Sequence, residues 1–328
     1  MSASRRRVVV NGIGALLFLC LGIVLGYGLR GYFGTQQQAF FEIREGDSQF
    51  AFTNPLLECR ELPETISIGT RKQLKDDIQA LIDSYKARGE MTEASVYFRD
   101  LNNGPWFGIQ EGLEFSPASL LKVPLAMWYF AEADRDPGIL GQEIEFKGPR
   151  GTSIVHFPPR TVLQENQVYT IEELIRRMLQ ESDNDAAFIL SQFAGQDVVA
   201  VYRDLGVSPD QLSYESNIDV HTYASFFRIL FNSTYLQRSL SERMLEMMSE
   251  SSFEKGIVAG VPSHIRVAHK FGEKVIDAKG VVQLHDCGIV YVPGTPYTLC
   301  IMTQGADYET LSAFIRDVSA LVYQEISD

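Results

Sequence analysis

Residues 115–127 read FSPASLLKVPLAM, a turn followed by an apolar run that contains only two polar side chains, Ser119 and Lys122. A helix that begins at Ser119 places these two side chains one turn apart on the same face. Pro124 then falls early in the helix, where a missing backbone N–H costs least. The other residues leave almost no solvated face, so we expect this helix, and Lys122 with it, to be buried.

The chemistry of this spacing depends on that burial. Burial lowers the pKa of a lysine because its charged form loses solvation. A neutral amine beside a hydroxyl is a general base beside a nucleophile, which makes Ser119 and Lys122 candidate catalytic residues. The alternative is coincidence, since serine and lysine are common and a chain of this length contains about one such spacing by chance. Other motifs have to decide between the two interpretations.

Composition is that of a globular protein with an acidic surface. The chain has 328 residues, of which 45% are hydrophobic and 22% charged, and its net charge is −13. The length is enough for a full hydrophobic core and could accommodate two domains. The negative charge argues against nucleic acid and anionic lipid as partners, and its simplest meaning is solubility.

The N-terminal 30 residues predict a membrane anchor. Arg5–Arg7 precede Val8–Tyr27, which are twenty residues without a charge. A helix of that length spans the apolar core of a bilayer, and the basic cluster favours a cytoplasmic N-terminus. A cleaved signal peptide is the alternative, but no good small-x-small cleavage site is present. We therefore expect a single-pass membrane protein in which everything after Arg30 is extracytoplasmic.

Residues 31–69 read as a linker and lead-in, in which Phe50–Phe52 and Pro55–Leu57 suggest a segment that packs on the body. From Thr70 the chain alternates between helical and strand patterns. Helices are predicted from Ser119 and over 70–89, 170–180, 183–193, 196–205, 222–231, 241–248 and 310–323. Strands are predicted over 94–99, 106–109, 265–271, 281–292 and 297–303.

This order predicts an α+β fold, in which an antiparallel β-sheet is flanked by terminal helices and carries an inserted all-helical lobe. The domain would cover 70–328, with an α/β lobe formed by 70–114 and 262–328 and a helical lobe formed by 115–261. A cleft between the two lobes is the natural position for a site. Cys287 and Cys300 fall on neighbouring predicted strands, where they could form a disulfide or remain two small buried side chains.

Two further motifs have both a structural and a functional interpretation. Ser182-Asp183-Asn184 lies between two predicted helices, where Ser182 or Asp183 would serve as an N-cap. Lys270-x-Gly272 lies at the end of a predicted strand, where a charge is typical of an edge. Other chemistries lack their motifs, because the chain has no Gly-x-Ser-x-Gly, no His-Glu-x-x-His and no glycine-rich phosphate loop. The sequence predicts neither a metal nor a cofactor.

Taken together and in this order, Ser119-x-x-Lys122, Ser182-Asp183-Asn184 and Lys270-x-Gly272 resemble the pattern of class A β-lactamases and penicillin-binding proteins. The resemblance extends from Thr70 to the C-terminus and includes Gly288–Tyr291 in a late strand. It implies the same α+β architecture with an inserted helical lobe that the order of helices and strands predicts.

The resemblance also implies roles for the catalytic residues. Ser119 would attack a carbonyl carbon to form an acyl-enzyme, and Lys122 would accept its proton. Ser182 would relay a proton to the leaving nitrogen. Lys270 would hold Ser182 and a substrate carboxylate in a positive field.

Substrate binding is implied for three more residues. Asn184 would hydrogen-bond the amide side chain of the substrate. Gly272 would let the strand approach the substrate closely, and the backbone N–H of Glu273 would form the oxyanion hole together with that of Ser119.

The chain departs from the family pattern at two places. Phe271 stands where the family has a threonine or serine hydroxyl, and strand alternation could point its ring into the cleft and alter recognition. In class A enzymes a Glu-x-x-x-Asn loop positions the water that releases the acyl group. Here only 88 residues separate Ser182 from Lys270, and the nearest candidate, Glu215, precedes Asn217 by two residues. Glu215 is therefore either the deacylation base or an ordinary acidic residue of a surface loop.

The prediction from the sequence is a membrane-anchored, monomeric serine hydrolase of the class A β-lactamase-like superfamily. Its substrate would be a β-lactam or a related peptidoglycan peptide. One alternative is a D-Ala-D-Ala carboxypeptidase or penicillin-binding protein that releases penicillin slowly. Another is a catalytically degenerate protein that only binds cell-wall peptide.

Overall fold

The computed structural model describes most of the chain from residue 68 onward and three short segments before it, with the exact ranges at the end of this paragraph. The predicted anchor Val8–Tyr27 and the candidate base Glu215 lie outside them. Within the described part of the chain, no helix combines the length and apolarity needed to cross a bilayer. The described residues are 40–43, 51–54, 58–61, 68–102, 104–149, 155–195, 197–205, 207, 216–276 and 280–327.

The described residues form eleven strands and eight α-helices. The strands are β1 (Phe40–Ile43), β2 (Glu58–Glu61), β3 (Met91–Asp100), β4 (Trp106–Ile109), β5 (Glu114–Phe115), β6 (Glu143–Glu145), β7 (Val168–Thr170), β8 (Ile218–Asp219), β9 (Val267–Val275), β10 (Val282–Val290) and β11 (Tyr297–Gly305). The helices are α1 (Ile68–Ala87), α2 (Lys122–Arg135), α3 (Ile171–Gln180), α4 (Asn184–Ala194), α5 (Val198–Asp204), α6 (Val220–Asn232), α7 (Arg238–Ser249) and α8 (Tyr308–Ser327).

The central element is a five-stranded antiparallel sheet in the order β4-β3-β11-β10-β9. The last strand along the chain, β11, lies between the early β3 and the late β10, which joins the two ends of the domain. Strands β1 and β2 form a separate two-stranded sheet. The predicted α+β fold with an antiparallel sheet is confirmed.

Each face of the sheet contributes to a different hydrophobic core because side chains alternate along a strand. On β11, Cys300 and Met302 belong to the core shared with the inserted helices, whereas Leu299 and Ile301 belong to the core shared with α1 and α8. The predicted arrangement of terminal helices on one side and a helical block on the other follows from this alternation.

Two cysteines of the sheet are joined. Cys287 on β10 lies directly opposite Cys300 on β11, and the two form a disulfide. The sequence left this pairing open, and the register of the two strands decides it.

Residues 51–54 of the predicted lead-in pack on the body, whereas Phe50 and Pro55–Leu57 lie outside the described residues. The backbone N–H groups of Phe52 and Thr53 each donate to the carboxylate of Glu242 on α7, at 2.7 Å. The hydroxyl of Tyr291 donates to the carbonyl of Phe52 at 3.0 Å, and the Phe52 ring contacts the Tyr291 ring edge-on. These contacts bury Phe52 almost completely.

The helix after the Ser-Pro turn begins later than predicted. Residues Ala118–Leu121 form a 3₁₀ turn, and α2 begins only at Lys122. Pro124 has no N–H to donate to the carbonyl of Leu120, and that carbonyl instead accepts the hydroxyl of Tyr223 at 3.0 Å. The predicted burial is confirmed, since every residue from Lys122 to Phe130 is buried.

Strand β9 is longer than predicted. The sequence places its end at Phe271, before the glycine, but the strand continues to Val275 because Val275 pairs with Val282 on β10. Gly272 and Glu273 are therefore strand residues, which gives their backbone a defined direction at the site.

Candidate active site

A cavity of about 240 Å³ brings together residues that are far apart in the sequence. Ser119 comes from the 3₁₀ turn, Ser182 from the connection between α3 and α4, Asn184 from the first position of α4, and Glu273 from β9. Phe157, from a segment without regular structure, completes the wall. Two of the three sequence motifs thus line one cavity, and the third supplies Lys270 behind it.

Lys122 lies beneath this cavity and is fixed by three hydrogen bonds. Its Nζ donates to the carbonyl oxygen of Ser182 at 2.6 Å, to Ser182 Oγ at 3.1 Å and to Asn184 Oδ1 at 2.7 Å. Burial lowers the pKa of Lys122 to about 7, although the carboxylates of Asp183 and Glu273 oppose this shift. Near neutral pH, Lys122 is therefore a neutral amine in a large fraction of the molecules, as a general base requires.

Lys270 approaches Ser182 from the opposite side. Its Nζ donates to Ser182 Oγ at 2.9 Å and to the carbonyl of Phe271 at 2.9 Å, and the side chain is completely buried. Burial lowers the pKa of Lys270 well below its ordinary value, and the charge of Lys122 lowers it further. Ser182 Oγ thus lies between two amines and can pass a proton along this line of contacts.

The structural interpretation of Ser182-Asp183-Asn184 is confirmed at Asp183, and the functional interpretation of Ser182 stays a prediction. Asp183 is the N-cap of α4, because its Oδ1 accepts the backbone N–H groups of Asp185 and Ala186 at 2.9 and 3.0 Å. Ser182 precedes the cap and has a φ of +53°, a conformation that costs energy for a residue other than glycine. This conformation turns Ser182 toward the two lysines, as expected for a functional site.

Ser119 is half-buried and lines the cavity. Among the described residues, no group hydrogen-bonds its hydroxyl, so Oγ is open to a molecule in the cavity. The preceding residue, Ala118, has a φ of +47°. Positive φ values thus occur at Ser182, which lines the cavity, and at Ala118, directly before the cavity residue Ser119.

A steric constraint explains why position 272 is a glycine, as the sequence suggested. A Cβ at this position would lie 3.1 Å from Leu120 Cγ and 3.2 Å from the carbonyl oxygen of Pro117. The glycine allows β9 to pack directly against the 3₁₀ turn that carries Ser119. It therefore positions Ser119 relative to the strand.

Phe271 is not one of the described residues that line the cavity. Its ring is stacked on Phe253 at 4.3 Å between centroids and is 2% exposed. The prediction that its ring could enter the cleft failed because Phe271 faces the core formed with α8, whereas Lys270 and Gly272 face the helical lobe. The ring instead lies 4.2 Å from Lys270 Nζ, which it covers on one side.

The side chain of Glu273 has a role that the sequence did not indicate. Its carboxylate accepts the backbone N–H groups of His156 and Phe157, at 2.9 and 3.0 Å. Further along, the backbone N–H of Arg160 donates to Glu181 at 2.6 Å. Residues 155–160 are thus held across the mouth of the cavity from both lobes. No periodicity marks this segment in the sequence, so only the contacts reveal it.

Comparison with known proteins identifies the family of the chain. The model of the beta-lactamase enzyme family matches residues 73–326. A search of curated proteins finds no match.

Solved structures share the fold at low sequence identity. A class A beta-lactamase from Bacteroides cellulosilyticus is 17% identical, with a TM-score of 0.68 over 79% of this chain and 99% of the other. A beta-lactamase from Chitinophaga pinensis is 21% identical, with a TM-score of 0.65 over 78% and 98%. The protein PBP-A is 20% identical, with a TM-score of 0.63 over 81% and 98%. The chain belongs to the beta-lactamase enzyme family.

Proposed function

We propose that this protein is a serine hydrolase that acts through an acyl-serine intermediate on a β-lactam ring or a related cell-wall peptide amide. The observation that carries the proposal is the position of Lys122, one turn after Ser119, with its pKa lowered to about 7 and its Nζ bonded to Ser182 and Asn184. A buried lysine with these contacts is a general base for a neighbouring hydroxyl.

In the proposed acylation, Ser119 Oγ gives its proton to Lys122 Nζ and forms a bond to the substrate carbonyl carbon. The bond between that carbon and the amide nitrogen breaks, and the nitrogen receives a proton through Ser182. Lys270 holds Ser182 from the other side. The backbone N–H groups of Ser119 and Glu273 stabilise the oxyanion, and Asn184 binds the amide side chain of the substrate.

A second candidate is a D-Ala-D-Ala peptidase-like protein that is acylated by penicillin and releases it slowly. The fold is similar to that of PBP-A, of which a mutant has been solved as an acyl-enzyme complex with penicillin G. Of the cavity carboxylates, Glu273 accepts two backbone N–H groups with its two oxygens, and Asp183 caps α4 through one oxygen, so each already has a structural task. A third candidate is a degenerate binding protein. The departure at Phe271 gives it less support, because the Phe271 ring is buried and does not obstruct the cavity.

The direct test is covalent labelling. After incubation of the purified full chain with a penicillin, the intact mass should increase by the mass of the whole penicillin, because opening the ring retains every atom. Peptide mapping should place the adduct on Ser119. An adduct on another residue would contradict the assignment, and the absence of any adduct together with the absence of hydrolysis would favour the degenerate binding protein.

We further propose that Val8–Tyr27 anchors the protein and that the catalytic domain is extracytoplasmic. The basic cluster Arg5–Arg7 and the uncharged length support this orientation. The disulfide Cys287–Cys300 also supports it, since disulfides persist in oxidising compartments. Cell fractionation should recover the protein with membranes after a carbonate wash, with its N-terminus intact. A mature form that begins after Gly28 in the soluble fraction would show that the segment is a cleaved signal.

A further inference from the structure

A second and smaller cavity lies on another part of the sheet. It has a volume of about 50 Å³ and is enclosed by α6, β3 and β11. Arg99 on β3 and Thr298 on β11 are directly opposite each other in the strand register, and Arg228 lies across from them on α6. Strand β9, which carries Lys270, is two strands from β11 and three from β3. At about 4.8 Å per strand, the cavity is roughly 10–14 Å from β9 and is separate from the active site.

Thr298 presents an unused polar group to this cavity. The residue is 1% exposed, and its Oγ1 has no hydrogen-bond partner among the described residues. Ser225, which lines the same cavity, uses its hydroxyl to donate to the carbonyl of Thr222 at 2.6 Å. A buried hydroxyl without a partner costs free energy, so Thr298 calls for a ligand that satisfies it.

The charge at this cavity is opposite to that of the protein. Acidic residues outnumber basic ones by 42 to 29, and other arginines form ion pairs with glutamates, as Arg243 does with Glu172. Within the described part of the chain, Arg99 and Arg228 form no ion pair with a carboxylate. Two guanidinium groups that share a cavity without an acid are a local anion site in an otherwise acidic body.

Aromatic rings border the same place. The centroids of Tyr97 and His221 are 5.1 Å apart, and those of Trp106 and His221 are 5.5 Å apart. Trp106 is 47% exposed, so this border is open to solvent. The open side provides a flat surface against which the remainder of a larger ligand could lie.

We propose that this cavity binds a small phosphate-type oxyanion through Arg99, Arg228 and the hydroxyl of Thr298. Guanidinium groups bind such oxyanions through paired, charge-assisted hydrogen bonds, and the threonine supplies a further donor from a third direction. The volume suits one oxyanion group. The acidic surface disfavours extended polyanions, so the ligand is free phosphate or a phosphate monoester.

Calorimetric titration of the full chain in detergent tests this proposal, with sodium phosphate as the probe and sodium chloride of equal ionic strength as the blank. Wild type should bind phosphate with measurable heat. Arg99→Gln, Arg228→Gln and Thr298→Val should each weaken binding by about tenfold or more, since each removes a hydrogen bond to a charged ligand. Arg243→Gln is the matched control and should bind as wild type does.

Thermal unfolding separates binding from folding. Thr298→Val keeps the shape of the side chain and removes a hydroxyl without a partner, so without phosphate it should melt no lower than wild type. At equal phosphate concentration, the melting temperature of wild type should rise more than that of Thr298→Val. Glycerol 3-phosphate identifies the source, because tighter binding than phosphate supports a monoester and weaker binding supports the free ion. No heat at millimolar phosphate, or equal binding by wild type and Thr298→Val, would overturn the proposal.

Discussion

The Lys122→Met variant is expected to form the acyl-enzyme about 10²–10⁴-fold more slowly than wild type, because it removes the general base and keeps a flexible apolar side chain. The methionine side chain would fill the buried space but could not accept the proton of Ser119. The measurement is the rate of labelling by a fluorescent penicillin under excess reagent.

Two controls make this result specific. Lys86→Met removes a lysine that pairs with Glu93 on the surface, and it should label at the wild-type rate. Ser119→Ala should not label at all and sets the background. Thermal unfolding must show that Lys122→Met is folded, since the carbonyl of Ser182 and the amide oxygen of Asn184 each lose a donor. Labelling of folded Lys122→Met at the wild-type rate would refute Lys122 as the base.

The same lysine should control the pH dependence. Its pKa is lowered to about 7, and only its neutral form accepts a proton. Acylation of wild type should therefore be slow at low pH, increase through neutral pH and level off above it, by about tenfold between pH 6 and pH 8. The residual labelling of Lys122→Met should lack this step, which distinguishes loss of the titrating base from a general loss of structure.

The second large effect concerns the release of the acyl group. Deacylation should be about 10²–10⁴-fold slower than in an enzyme that has a dedicated water-activating base, equivalent to about 3–5 kcal/mol of barrier. Acylation and deacylation need different groups, because the water attacks the ester from a side where Lys122 is not placed. Both oxygens of Glu273 hold the segment at the mouth, and Asp183 caps α4 through one of its oxygens, so each carboxylate already has a structural task.

A stopped-flow burst followed by intact-mass measurements over minutes tests this expectation. A burst close to one equivalent and a lasting adduct on Ser119 would support it. Several turnovers per second without an accumulated adduct would contradict it. The Glu215→Gln variant adds a second comparison, with Glu246→Gln on the surface of α7 as its matched control. If only Glu215→Gln traps the adduct, Glu215 is the deacylation base and the protein is a working β-lactamase.

The amino-acid sequence by itself determined the order of the helices and of the five strands in the central sheet, and the residues of the three motifs, but it did not indicate the short strands β1, β2 and β5–β8. Local patterns are sufficient for both, because amphipathic periodicity and capping residues act over a few positions. Thr170 and Glu173, for example, form a capping box at the start of α3, a helix that the sequence predicts over 170–180. The sequence also identified Lys122 as buried, since its neighbours left no solvated face for it.

Only the tertiary structure decided how those residues act on one another. Contacts between segments about 60–120 residues apart place Ser182 between Lys122 and Lys270 and make the carboxylate of Glu273 hold residues 156 and 157. The direction of Phe271 away from the cavity and the disulfide between Cys287 and Cys300 depend on the facing and register of strands. These outcomes arise from packing between distant segments, which local patterns do not encode, because each partner is chosen by the shape and polarity of a surface formed elsewhere in the chain.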